Sequence, residues 1–226
     1  MTEHHAHLPH HAAHAPGTNV LGEIIEHPTE VVTAVSLAVA VLLTSWSAYH
    51  AAIWDGVESA QFTRATVLRT DSARLSTHAG QLEGFDIFVF GQFLNAYAGE
   101  NKRLADFYRA RFRPEFAPAF DAWAASKPLQ NPKAPASPFV MPQYQLAAAA
   151  QAGQLERQAD AAFIRAEAAR THSNAFIQVT VVLASAMFFG GIVQVFKLRH
   201  IRFALMTVSV LTCLWGLVRV LSLPIS

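Results

Sequence analysis

AFIQVTVVLASAMFFGGIVQVF (175–196), KLRHIR (197–202) and FALMTVSVLTCLWGLVRVLSL (203–223) form the stretch that decides the fold. Two apolar runs flank six polar, mostly basic residues. At about 1.5 Å per helical residue each run is a little over ~30 Å long, which matches the hydrocarbon core of a bilayer. Arg219, near the end of the second run, is the one charge in either. A helix in a soluble core seldom runs so far without a polar face. The stretch therefore reads as a transmembrane hairpin.

Working back, residues 31–53 form another uncharged apolar run, opened by Pro28 and Thr29 and closed by Trp46, Tyr49 and Trp54. Amphipathic rings prefer the membrane interface. Small residues four apart, Ala34 and Ala38 in this run and Ala186 and Gly190 in the next, permit close helix approach.

Between these runs, residues 54–173 read as an extramembrane helical bundle. Gln61, Leu68, Leu75 and Leu82 recur every seven residues, with Ala65, Ser72 and Ala79 beside them, giving a coiled-coil-like stripe. Gly80 and Gly84 suggest a turn, and a second helix from Phe85 to Phe112 is expected to return toward the membrane. Pro114 ends that helix and can open a short one. Phe112, Phe116, Phe120 and Trp123 line one face there. Five prolines in 127–142 predict a stiff, extended strap. Pro142 opens the last helix, whose seam of Ala148, Ala152, Leu155, Ala159, Ala162, Ala166 and Ala169 runs into 174–196 with no Pro and only Gly153 before the span itself.

The fold class is thus all-α: three transmembrane helices (29–53, 174–196 and 203–223) with an antiparallel helical bundle inserted between the first and second. Residues 1–28 form a histidine-rich tail with nothing to build a core, and disorder is expected there.

The segment NAYAGENKRLADFYRARFRPEFAPAFDAW (95–123), with SAYHAAIW before it and the paired C-terminal runs after it, resembles a group of small uncharacterised bacterial membrane proteins. The resemblance implies a bacterial inner membrane and the three-span layout. It implies no activity. For orientation, short basic loops stay cytoplasmic, so Lys197, Arg199 and Arg202 place the N-terminus inside and the bundle outside. The absence of Lys and Arg before the first span, with Arg64 and Arg69 after it, argues the other way. Charges on large translocated domains weigh less.

Only 15% of the residues are charged and the net charge is +1, so nothing points to nucleic acid. The one cysteine, Cys213, excludes an intrachain disulfide. No zincin, phosphate-loop or dinucleotide motif is present. Asp71 and His78 share a helix face, but Ser76 points elsewhere, so they make no hydrolase triad. Candidate metal ligands are His4, His5, His7, His10, His11 and His14, since clustered imidazoles chelate Zn or Ni. The same composition also suits a low-complexity tail with no metal. His50 and His172, at the two bundle-side ends of the spans, are a candidate pH-sensitive or metal-binding pair. Arg109, Arg111, Arg113 and Trp123 are candidate lipid-headgroup contacts. Gln178, Thr180 and Gln194 suit hydrogen bonding between spans or the lining of a pore.

The function expected from this pattern is non-enzymatic: a membrane protein whose bundle senses, scaffolds or docks. Its partners are the lipid bilayer and either another protein or further copies of itself. The alternatives are an oligomeric channel or transport accessory, and a metal-handling protein working through its tail. No cofactor is expected beyond Zn or Ni on the histidines.

Overall fold

Five α-helices and a single 3-10 turn make up the computed structural model, which describes residues 28–225. The helices are α1 (Pro28–Ala98), α2 (Lys102–Arg109), α3 (Ala117–Ala125), α4 (Ala147–Ile192) and α5 (Arg199–Ser222), with the 3-10 turn at Pro138–Val140. The six tail histidines lie outside the described residues. Three helices, α1, α4 and α5, contain windows long and apolar enough to cross a membrane.

The turn expected at Gly80 and Gly84 is not there. Helix α1 passes through both glycines and through Gly91 as one 71-residue helix. A helical glycine costs only about 1 kcal/mol against alanine. The buried stripe runs on across them, through Ala65, Ser72, Ala79 and Asp86 at seven-residue steps. Tertiary burial on one face thus outweighs the local weakness on the other. The real end comes at Ala98. There the Asn101 N–H donates to the Ala96 carbonyl at 2.9 Å and the Glu100 N–H to Tyr97 at 3.1 Å, with Glu100 at φ 55°. This is the left-handed helix-ending motif usually built on glycine, here with glutamate at the special position. Asn101 then caps α2, its Oδ1 accepting from the Leu104 N–H at 3.1 Å.

The chain divides into two compact units, and the division falls inside both α1 and α4. Unit 1 takes residues 28–51 and 174–225. In it α4 packs on α5, where the Ser209 hydroxyl donates to the Ala186 carbonyl at 2.8 Å. Helix α5 also meets α1: the Cys213 thiol lies 3.7 Å from the Ser36 carbonyl, and Arg202 pairs with Glu30 at 3.5 Å. Ala40, Val179, Leu183, Ala186, Cys213 and Val220 form its apolar core. Two glycines set how close the helices come. A Cβ on Gly216 would sit 2.6 Å from Leu183 Cδ2, and one on Gly190 would sit 2.8 Å from Leu37 Cδ2.

Unit 2 comprises residues 52–173. Its contacts descend α1 as they climb α4: Ser72 with Ala152, Arg69 with Glu156 and Asp160, Phe62 with Phe163, Trp54 with His172. The two helices are therefore antiparallel, in constant register. Ala152, Ala159, Ala162, Ala166 and Ala169 are all buried. Small side chains on one stripe let the backbones approach closely enough for the Ser72 hydroxyl to donate to the Ala152 carbonyl at 2.9 Å.

The segment 127–142 also differs from expectation. It is turn-rich, with Gln130 and Asn131 both donating to the Lys127 carbonyl and Lys127 at φ 52°. Because α1 is unbroken, no second long helix returns toward the membrane and no strap needs to climb back. The prolines instead wrap the segment around the end of α1, and α4 begins at Ala147 rather than at Pro142. The short helix opens at Ala117 with Pro118 in its first turn, not at Pro114.

Candidate functional site

The far end of the helix pair in unit 2 is closed by an aromatic cap. Phe90 projects from α1 and meets four rings edge-on: Phe116, Phe120, Trp123 and Phe139, with centroids 5.3–6.2 Å away. Tilted and T-shaped pairs of this kind each add about 0.5–1.5 kcal/mol beyond their burial. Phe116 is wholly buried, stacked on Phe139 at 5.1 Å. The Trp123 indole N–H donates to the Pro135 carbonyl at 2.9 Å, which fixes the proline-rich segment over the rings.

Under this cap lies the one carboxylate buried among the described residues. The seven-residue stripe that delivers Ala65, Ser72 and Ala79 delivers Asp86 next, 1% exposed. Pro114 precludes a helix through the preceding residue, and the loop between α2 and α3 turns Arg113 inward. Its Nε donates to Asp86 Oδ1 and its Nη2 to Asp86 Oδ2, both at 2.9 Å. Tyr144, just before α4, donates its hydroxyl to Oδ2 at 3.0 Å. The planar fork of Arg matches both carboxylate oxygens at once, the geometry that makes such pairs strong.

The electrostatics follow from that geometry. The hydrogen bond to Asp86 raises the Arg113 guanidinium above its ordinary range, against the opposing effect of burial. Burial first, and then the bond to Asp86, push the Tyr144 phenol well above its ordinary 10.0. A raised phenol is a held proton. Tyr144 acts as a permanent donor rather than as a nucleophile or base. The three groups satisfy one another and lock α1, the α2–α3 loop and the start of α4 together.

This placement corrects part of the headgroup expectation. Arg113 and Trp123 face inward and hold internal partners, so neither is available to a lipid. Arg109 pairs with Asp121 at 2.9 Å and lies over the Phe120 ring. Arg109 and Arg111 both keep outward positions, the Arg111 guanidinium 3.3 Å from the Phe107 ring centroid.

The two histidines fall in different units. His50, 3% exposed, belongs to unit 1, where its ring stacks on Phe176 at 5.3 Å and leans on Trp46 at 4.7 Å. His172 belongs to unit 2, 4.7 Å from Trp54. Among the described residues no three His, Cys, Asp or Glu side chains gather as a metal site. Asp71 pairs with Arg74 at 3.6 Å, and Ser76 and His78 are exposed. Gln178 is exposed on α4, while Thr180 donates to its own helix at Ile177.

Asp86 and Tyr144 are not among the residues that sequence reasoning singles out. A signal for Asp86 exists: it is a lone acid in GFDIFVFGQF, at the step after Ala79 on a stripe that is otherwise small or apolar. Nothing comparable marks Tyr144.

No protein-family model matches the chain, and neither a curated protein nor a solved structure matches it.

Proposed function

We propose that this chain is a non-enzymatic, multi-pass membrane protein of a bacterial inner membrane. In this reading three helices anchor it, and the helical module between the first and second acts as a sensor, scaffold or docking platform. The short basic loop at 197–202 favours a cytoplasmic N-terminus and a module outside the membrane. One observation carries the docking reading. Large apolar side chains stand exposed on the long helices of unit 2, Val67 at 54%, Phe88 at 62% and Ile164 at 67%. We take these exposed groups, on a body whose buried polar cluster is already satisfied, as the support for contact with a partner.

Photo-crosslinking residues placed at Val67, Phe88, Ile164 and, as a buried control, Ala159 test this in native membranes. Discrete adducts are expected from at least one exposed position and none from Ala159. No adduct at any exposed position would overturn the docking reading. An oligomeric channel is the second reading, favoured by the exposed Gln178 amide on an apolar stretch of α4, where a second copy would offer it a partner. In that case the crosslinked partner is the chain itself, through α4. Metal handling by the tail histidines predicts instead that Zn or Ni binding disappears when residues 2–19 are deleted.

A further inference from the structure

Helix α2 has a face that the rest of unit 2 does not use. Its inner side is marked by Ala105, 4% exposed. At about 100° per residue, Arg103, Leu104, Phe107 and the following Arg111 fall within one outward arc about 100° wide. Leu104 is 40% exposed and Phe107 46%. Arg111 folds back over Phe107 and donates to its carbonyl at 2.9 Å, which keeps cation and ring on the same side. No acid lies within the arc. Asp106 stands on one flank, and Asp121 is paired with Arg109. Lys102 adds a further exposed cation at the helix start.

We propose that this face docks on an anionic lipid surface, with Leu104 and Phe107 entering the headgroup boundary and Arg103 and Arg111 meeting phosphates. The combination suits a bilayer. Amphipathic interfacial helices join an aromatic–aliphatic face to Arg or Lys at its edges, and each basic residue near an anionic surface contributes a several-fold gain in affinity. The inference goes beyond the docking reading above, since it names a different surface and a non-protein partner.

The test uses the full chain in phosphatidylcholine nanodiscs, mixed with vesicles of phosphatidylcholine with or without phosphatidylglycerol and separated by flotation. Binding to the phosphatidylglycerol vesicles is expected, weakening as salt rises. Arg103→Glu with Arg111→Glu should lower the apparent affinity about tenfold or more. Leu104→Ser with Phe107→Ser should lower it by a similar factor at constant charge. Arg157→Glu, an exposed charge reversal on α4, should leave it unchanged. Equal binding to neutral vesicles would overturn the proposal, as would an equal loss with Arg157→Glu. A loss confined to the charge variants, with none from Leu104 and Phe107, would overturn the insertion of these side chains and leave only electrostatic adsorption. These outcomes do not depend on the crosslinking result, because none of the crosslinker positions lies on α2.

Discussion

Asp86 and Arg113, 27 residues apart, are joined by two parallel hydrogen bonds of 2.9 Å, and the carboxylate is almost wholly buried. Removing one partner leaves an uncompensated charge, which typically costs about 3–5 kcal/mol. Arg113→Met should therefore melt the cap, seen as faster amide exchange in residues 111–126 and 138–146. Replacing both groups, with Asp86→Leu added, should recover much of the loss, because a buried ion pair is often matched by apolar side chains of similar volume.

Tyr144 gives a pH signature. Its folded value lies above the ordinary 10.0, so the stability it supplies is complete below about pH 10 and is lost as pH rises through the folded value. Tyr144→Phe cannot ionise. It should be less stable than the parent by about 1.5 kcal/mol near neutrality, the worth of a hydrogen bond to a charged acceptor. The difference should shrink above about pH 10. Chemical denaturation of both proteins across that range measures it, and a constant difference would show that the phenol does not hold its proton against Asp86.

The alanine seam yields a matched pair. Ala159 is 0% exposed, whereas Ala161 faces out. Added volume in a close-packed site costs about 1–3 kcal/mol. Ala159→Leu should destabilise unit 2 by that order and Ala161→Leu should be near neutral, read by thermal melts in detergent. Equal effects would mean that the two helices do not pack through this seam.

Glycines make a similar pair in unit 1. Gly216→Ala places a methyl 2.6 Å from Leu183 Cδ2, and Leu183 is itself fully buried, so neither side can yield easily. A loss of about 1–3 kcal/mol is expected. Gly191→Ala meets nothing within 4 Å and should be neutral or slightly stabilising, since alanine favours the helix.

Much of this architecture was legible in the sequence for physical reasons. The apolar runs are long and uninterrupted, so they declare three candidate spans regardless of tertiary detail. The Ala152–Ala169 seam was legible because a seven-residue period leaves one arrangement of the helix surface. What was not legible depended on competition or distance. Gly80 and Gly84 look like breaks locally, but burial of Ala79 and Asp86 carries α1 through them. The true end hides because its left-handed residue is Glu100. The Asp86 cluster draws partners 27 and 58 residues away, and no local pattern pairs them. The same cluster turns inward an arginine that its charged surroundings assign to the surface.

Topology tests the central claim most directly: three helices cross the membrane and carry unit 2 on one side. Cys213 is the one cysteine in the chain and is buried, so introduced thiols can be read against a low background. Gln130→Cys, in the proline-rich segment, and His200→Cys, in the short loop region, are both exposed positions. In intact cells a membrane-impermeant maleimide should label position 130 and reach position 200 only after the membrane is opened. The reverse pattern would keep the three crossings and invert the orientation. Equal labelling of both positions before opening, or of neither, would contradict the three-span account.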